Sequence, residues 1–250
     1  YPVRRMQQRE PKNIDGKVGY YNLAAETAIT SGTWEAAKAS CAVAQTAQKH
    51  VAKTGDPAFA LCRPPGHHAL RDLAGGFCFV NNSAVAAAEL RQDCERVAIL
   101  DVDLHHGNGT QDIFWNDPHV MYCSTHQMPL YPGSGAANET GNADTIVNVP
   151  LTAGDDGTIF QEAFEAVILP RLLQFSPELV IISAGFDAHA RDPLGGLRLL
   201  EADFAWATRA LMDVADKTAD GRVVSILEGG YDLEGLARST AAHIMTLMNG

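Results

Sequence analysis

Three potential metal ligands, Asp101, Asp103 and His105, lie within five residues of one another, directly after an apolar stretch at 97–100. Side chains alternate between the two sides of an extended chain, so Asp103 and His105 project in the same direction. Carboxylate oxygens and imidazole nitrogens bind zinc, and a catalytic zinc site uses three protein ligands while one position stays open. The spacing predicts that Asp103 and His105 bind one divalent cation, with a third ligand from elsewhere.

Other ionisable side chains also follow apolar stretches: His67 and His68 follow one, and Asp187 and Tyr231 follow two more. A single aspartate in such a place is typical of a helix cap or a turn. Adjacent histidines are difficult to bury without partners, which favours a functional pair. Ligands of open α/β sheets bind at the carboxyl ends of the strands, where these residues would meet. We therefore predict Asp187 as the third metal ligand.

Helical and strand patterns alternate along the chain. Apolar runs predict strands at 59–62, 97–102, 120–123, 146–149, 179–183 and 223–227. Helical spacing predicts helices at 33–53, 82–91, 158–173, 201–217 and 233–248. Strands that are apolar on both faces are expected where helices cover both sides of a parallel sheet. We predict an α/β fold in a single domain spanning 1–250, with a mainly parallel central β-sheet flanked by helices on both faces.

Composition narrows the classes of partner. The chain has 30 acidic and 19 basic residues, for a net charge of −11. Without a dense basic cluster, direct binding to nucleic acid or to an anionic membrane is not expected, and a cationic substrate fits better. Five cysteines without CxxC spacing predict a reducing cytoplasm, and no apolar run is long enough to span a bilayer. The HGNG sequence at 106–109 lacks the glycine spacing of a nucleotide-binding loop.

Five motifs in order resemble those of zinc-dependent histone deacetylases and of the wider group that includes bacterial acetylpolyamine amidohydrolases. They are RPPGHHA at 63–69, GGFCFVNN at 75–82, DVDLHHGNGTQ at 101–111, SAGFDAHARDPLGG at 183–196 and EGGYDLEGLA at 228–237. The third and fourth are most similar to class II enzymes and to bacterial histone deacetylase-like amidohydrolases. The resemblance implies an arginase-like fold, a bacterial cytoplasmic enzyme, and hydrolysis of an N-acetyl amide to an amine and acetate. It also implies a preceding strand and helix, for which we find no counterpart in the chain.

The resemblance places the zinc on the same three residues as the spacing argument, and iron(II) or cobalt(II) could take its place. It assigns catalytic roles to four residues: His67, His68, Asp101 and Tyr231. In that assignment His68 takes a proton from water and delivers it to the leaving amine, while Asp101 pairs with a charged His67. Tyr231 donates a hydrogen bond to the developing oxyanion.

The resemblance further implies a narrow substrate tunnel and a potassium site. The tunnel is assigned to Gly76, Phe77, Tyr131, Leu194 and Gly230, and the potassium to Asp101 and Ser124 with backbone carbonyls near Asp103, His105 and Thr125. Relatives that prefer acetylpolyamines can carry a glutamate at the position of Leu194, so leucine favours acetyl-lysine in a peptide or protein. The segment from 19–21 to 32–34 instead resembles the polyamine branch, which leaves acetylpolyamine as the alternative. A two-manganese hydrolase using His189 and Asp192 is a weaker alternative.

Overall fold

The computed structural model describes residues 26–91 and 93–249. Within them, six parallel strands form one sheet in the order β1-β6-β5-β2-β3-β4. The strands are β1 Ala58–Ala60, β2 Val97–Asp101, β3 Val120–Gln127, β4 Ile146–Leu151, β5 Leu179–Ala184 and β6 Val223–Leu227. The predicted α/β class with a parallel sheet is therefore confirmed, whereas the single domain over 1–250 stays a prediction.

Helices cover both faces of this sheet. They are α1 Thr33–Thr54, α2 Asn82–Leu90, α3 Asn108–Phe114, α4 Gly157–Ala163, α5 Leu169–Phe175, α6 Glu201–Thr218 and α7 Leu233–Met248, with a π-helical turn at Phe164–Ile168. Alternate residues of β2 face different layers, because Leu100 packs in a cluster with Phe164 and Phe204, and Ile99 packs with Ala87 and Phe114. Burial on both faces explains why the strands read as continuous apolar runs.

Three elements differ from the sequence prediction by more than a shift of one or two residues at an end. The β3 strand continues to Gln127, although its apolar run ends at Cys123, because polar residues there still pair with β4 under a covering loop. The glycine-containing segment at 107–109 begins the short helix α3. The helix predicted at 158–173 is divided by the π-helical turn, and Pro170, which lacks an N–H, lies in the first turn of α5.

Neighbouring strands bring distant parts of the chain to one edge of the sheet. Asp101 at the end of β2 is in register with Ser183 of β5 on one side and with Ser124 of β3 on the other. The loops after β2, β5 and β6 therefore leave the sheet side by side. Among the helices of the described residues, none has the length and apolar composition needed to cross a bilayer.

Candidate active site

Asp103, His105 and Asp187 form a buried cluster where the loops after β2 and β5 meet. Their ligand atoms all lie within 4.8 Å of one another, and within residues 26–91 and 93–249 they are the single group of three such side chains. His105 Nδ1 lies 3.2 Å from Asp103 Oδ1 and 2.9 Å from Asp187 Oδ2. The three residues that sequence analysis selected as metal ligands are thus brought together.

Backbone groups of the surrounding loops fix the two carboxylates. The Leu104 N–H donates to Asp187 Oδ1 at 2.8 Å, and the Gly229 N–H donates to Asp103 Oδ2 at 2.9 Å. A side chain at Gly185 would overlap the Asp103 carboxylate, so only glycine lets the two loops approach this closely. The orientation of the cluster is therefore built into the backbone.

The electrostatics of the cluster favour a bound cation. Burial, followed by the charge of Asp103, raises the pKa of Asp187 to about 7. Burial alone would lower the pKa of His105, but hydrogen bonds to Asp103 and Asp187 outweigh it and raise that pKa to about 10. Two buried carboxylates with one imidazole between them stabilise positive charge at that point. Two carboxylate ligands and one imidazole ligand also match the requirements of zinc and of other first-row divalent metals.

The tandem histidines are adjacent but differ in their partners. His67 Nδ1 lies 3.0 Å from Asp101 Oδ2, which also accepts the Tyr122 hydroxyl at 3.0 Å. Burial would lower the pKa of His67, but the charges of Asp101 and Asp103 outweigh it and raise that pKa well above its usual value. His67 is therefore the charged member of the pair.

His68 is held by an amide in place of a carboxylate. Its Nδ1 lies 2.8 Å from Asn108 Oδ1, so the proton resides on Nδ1 and Nε2 keeps its lone pair. Burial, together with the charge of His67, lowers the pKa of His68 well below its usual value. The ring also lines a cavity at the sheet edge. Because His68 is neutral, its Nε2 lone pair is free to accept a proton.

Glu228, at the end of β6, fixes the segment that carries the histidines. Its Oε2 accepts the N–H groups of Gly66 and His67 at 2.7 and 3.1 Å, and its Oε1 accepts the Ser183 hydroxyl at 3.1 Å. Burial, the largest effect, raises the pKa of Glu228 to about 6. Because β1 and β6 are neighbours, this carboxylate ties the loop after one strand to the end of the other.

A cavity of about 260 Å³ opens beside the cluster. Its walls are formed by Glu26, His68, Gly76, Phe77, His105, Leu130, Tyr131, Leu194 and Tyr231. Gly76 has φ +53°, and a side chain on it would overlap the His68 ring. The cavity thus joins four of the predicted tunnel residues to two of the predicted catalytic residues. Gly230 instead lines a neighbouring cavity of about 830 Å³, which Tyr231 also borders.

Tyr231 is suited to act as a hydrogen-bond donor. Burial, with the charges of Asp103 and Asp187, raises the pKa of its phenol. The group therefore keeps its proton at neutral pH and can donate it to an oxyanion.

Asp101 and Ser124, whose side chains were predicted to bind potassium, are buried and do not line this cavity. The buried Ser124 hydroxyl lies 2.9 Å from His126 Nδ1. Thr125 was predicted to contribute its backbone carbonyl, and its side chain lies on the other face of β3 from that of Ser124. The potassium site therefore stays a prediction.

The residues considered for a second metal belong to no group of three ligand side chains within residues 26–91 and 93–249, although His189 Nε2 has no hydrogen-bond partner there. Asp192 accepts backbone N–H groups, and His189 Nδ1 accepts the Arg191 N–H at 3.2 Å. The geometry therefore does not favour the two-manganese alternative.

Comparison with known proteins decides the family. A model of the family described as "Histone deacetylase domain" matches residues 3–247. The chain belongs to this family. The resemblance seen in the sequence is thereby confirmed. The predicted enzyme class is confirmed with it: a deacetylase or amidohydrolase that acts on linear amide C–N bonds and carries a buried Asp–His–Asp cluster.

Relatives in the histone deacetylase family include both branches suggested by the motifs. Acetylpolyamine amidohydrolase 2 of Pseudomonas aeruginosa is 42% identical over 241 residues, covering 94% of this chain and 68% of the relative. The histone deacetylase-like amidohydrolase of the same organism is 41% identical over 217 residues, covering 84% and 57%. A solved acetylpolyamine aminohydrolase of Burkholderia pseudomallei superposes with a TM-score of 0.81 at 35% identity, covering 88% of this chain and 64% of that one. The chain thus spans between about half and two thirds of these relatives' lengths.

Sequence reasoning missed three residues of this family site: Glu26, Asn108 and Glu228. Asn108 and Glu228 lie in the motifs at 101–111 and 228–237, but sequence analysis gave neither residue a role. Glu26 lies between residues 19–21 and 32–34, which resemble the polyamine branch, and this resemblance could have pointed to it. Residues 19–21 lie outside the described residues.

Proposed function

We propose that the protein hydrolyses the N-acetyl amide of a primary amine that ends a narrow aliphatic chain, and that a second cationic group on the substrate makes acetylpolyamines the preferred class. One observation carries the proposal. His105 of the metal-ligand cluster, the neutral His68 and the protonated Tyr231 line the same cavity, and a carboxylate, Glu26, lines it as well.

The proposed metal is zinc, held by Asp103, His105 and Asp187, with iron(II) and cobalt(II) as alternatives. When bound, such an ion supplies polarisation of the acetyl carbonyl and easier deprotonation of water near neutral pH. The test is chelation of the purified protein followed by addition of single metals. Full recovery with manganese alone, at two ions per chain, would contradict the zinc assignment.

In the proposed mechanism His68 moves the proton. Its Nε2 accepts a proton from water as the water oxygen bonds to the acetyl carbon, and later donates it to the amine nitrogen as the C–N bond breaks. The products are acetate and the free amine. The positive charge of His67, held by Asp101, keeps His68 neutral until water is deprotonated.

Tyr231 is proposed to donate a hydrogen bond to the oxyanion that forms on the acetyl oxygen. A donor aimed at developing charge in a site that excludes water typically contributes a factor of about 10² to 10³ in kcat. Tyr231→Phe should therefore lower kcat by about that factor with little change in KM. An unchanged kcat would remove the proposed role.

The substrate preference is argued from charge at the cavity wall. In this proposal the acetyl group and methylene stem lie in the cavity lined by Phe77 and Tyr131, where Glu26 is the carboxylate available to a distal ammonium group. The net charge of −11 attracts a polycation over a longer range. A relative of similar identity is named as an acetylpolyamine amidohydrolase.

Acetyl-lysine in a peptide or protein, the class favoured by sequence analysis, is the second candidate. Leu194 lines the cavity and is apolar, so it offers no partner to a distal ammonium group. Another relative of nearly equal identity is named as a histone deacetylase-like amidohydrolase. Identity alone therefore does not order the two candidates, and the order depends on Glu26.

A substitution that removes the charge of Glu26 and keeps the shape of its side chain distinguishes the two candidates. Glu26→Gln should lower kcat/KM for N-acetylputrescine by roughly two- to fivefold, as expected for loss of a partly solvated ion pair. An acetyl-lysine peptide should be hydrolysed equally by both forms. Glu35→Gln, which removes the same charge from an exposed position on α1, is the matched control. Wild-type protein that prefers the peptide, together with an unaffected Glu26→Gln variant, would reverse the order of the candidates.

Two further assignments belong to this proposal. Potassium at Asp101 and Ser124 predicts that replacing potassium chloride by an equal concentration of an organic cation salt lowers activity. A cytoplasmic location is supported by five free cysteines, four of which are buried.

A further inference from the structure

Asp192 is a buried carboxylate that accepts hydrogen bonds from the backbone of two segments that line the cavity. Its Oδ2 accepts the N–H of Tyr231 at 2.7 Å and the N–H of Asp232 at 3.1 Å. Its Oδ1 accepts the N–H of Leu194 at 3.0 Å. The residue is 8% exposed. One side chain therefore holds both the segment after β6 and the loop after β5.

The side chain of Tyr231 is not fixed by packing alone. The residue is 36% exposed, and its ring contact is a tilted one with Phe77 at 6.0 Å between ring centroids. The preceding Gly230 has φ +140°, a conformation that glycine adopts easily and that adds no rigidity. The position of the phenol thus depends on where the Tyr231 backbone is held.

Asp192 is suited to hold that backbone. Hydrogen bonds from N–H groups to an ionised carboxylate are about twice as strong as those between neutral groups. Asp232 caps α7 by accepting the Gly235 N–H at 2.7 Å, so Asp192 binds the chain directly before the rigid helix. The negative charge also lies near the amino end of α7, where the helix dipole favours it.

We infer that Asp192 is a positioning residue for the reaction, which holds the Tyr231 hydroxyl at the place where the oxyanion develops. This inference rests on the proposed role of Tyr231. A displacement of about 1 Å at a reacting group can cost on the order of 10²-fold in rate, so loss of this anchor should lower kcat. Asp192 does not contact the substrate in this role, because it acts through the backbone of Tyr231.

A double-mutant cycle separates positioning from general structural support. Asp192→Ala should lower kcat for N-acetylputrescine by about 10- to 100-fold in the wild-type background. In the Tyr231→Phe background it should change kcat less than about twofold, because the hydroxyl that it positions is absent. A change in KM through the Leu194 backbone should persist in both backgrounds.

If Asp192→Ala does not fold, Asp192→Asn serves as the second variant. Asparagine keeps one acceptor oxygen, so a smaller loss of kcat with the same dependence on Tyr231 is expected. Arg191→Ala is the matched control, because it removes the neighbouring ion pairs of Asp232 and Glu234 and leaves the Asp192 hydrogen bonds in place.

Each other outcome overturns a specific statement. If both Asp192 variants lower kcat by the same factor with and without the Tyr231 hydroxyl, Asp192 supports structure only and the inference fails. If they leave kcat unchanged in the wild-type background, the inference also fails. If Tyr231→Phe alone leaves kcat unchanged, the proposed function of Tyr231 fails first, and the inference about Asp192 fails with it.

Discussion

His67 and His68 show how partners, more than residue type, set the chemistry of a side chain. Their ring centroids are 4.0 Å apart and both are buried. Carboxylates near His67 raise its pKa, whereas burial and the charge of His67 lower the pKa of His68. The amide of Asn108 orients His68 without adding charge. These contacts therefore make His67 the charged histidine and His68 the neutral one.

The residue to test is therefore Asn108. Asn108→Asp keeps the shape of the side chain and adds a negative charge 2.8 Å from His68 Nδ1, which favours the imidazolium form and raises the pKa of His68. Since the base must be neutral, activity is lost as pH falls through this pKa. The acid limb of the kcat/KM profile should move to higher pH by about one unit or more.

The control is Asn116→Asp, which adds the same charge at an exposed position paired with Asn142. Its pH profile should match that of the wild type. An acid limb that stays in place in Asn108→Asp would show that His68 is not the group whose protonation limits the reaction.

At the scale of elements, a buried histidine connects α7 to its neighbours. His243 Nδ1 lies 2.6 Å from the Thr208 hydroxyl on α6, and its Nε2 lies 2.7 Å from the Ser225 hydroxyl on β6. The ring also packs edge-on against Phe59 and Phe186. Burial lowers the pKa of His243 from its usual 6.5 to about 4, so the side chain is neutral in the folded protein near pH 7.

This burial predicts a pH dependence of stability. Above about pH 6.5 His243 is neutral in both the folded and the unfolded chain, and its contribution to stability is fully present. As pH falls from 6.5 towards 4, the unfolded chain takes up a proton that the folded chain does not. The free energy of unfolding should therefore fall by up to about 3 kcal/mol from this group.

His243→Gln removes the titrating group and keeps polar atoms near Thr208 and Ser225. Urea unfolding at pH 7, 6, 5 and 4, at constant ionic strength, should give a shallower loss of stability for this variant than for the wild type. Identical slopes would mean that His243 takes up its proton equally in the folded and unfolded chains.

Most elements could be predicted from the sequence, because a sheet covered on both faces leaves a clear apolar signal in each strand. The apolar signal did not predict strand residues that are buried but polar. Ser124 to Gln127 are polar yet extend β3, because a covering loop supplies their partners, such as the Gly135 carbonyl for His126. Helix α3 was missed because glycines at 107 and 109 normally indicate a loop.

At the scale of the whole molecule, the metal-ligand cluster and most of the cavity wall were predicted, whereas the roles of Glu26 in that wall and of Asn108 beside His68 were not. The ligands follow strands, so pattern and topology placed them at one edge of the sheet. Glu26 and Asn108 contribute through contacts made after folding, and neither has a distinctive sequence spacing. The cluster itself joins residues 82 positions apart, since His105 and Asp187 meet only when β2 and β5 pair.

That long separation predicts that metal binding stabilises the whole fold. The unfolded chain cannot bring Asp187 to Asp103 and His105, so an ion binds the folded state far more tightly. At a free ion concentration 100 times the dissociation constant, the folded state gains about 2.7 kcal/mol. For a chain of this size the gain should raise Tm by roughly 5–10 °C relative to the chelated protein. Asp187→Asn should abolish the shift, whereas Asp213→Asn, an exposed aspartate on α6, should retain it. Equal Tm values for chelated and zinc-loaded wild type would contradict a site formed by these three residues.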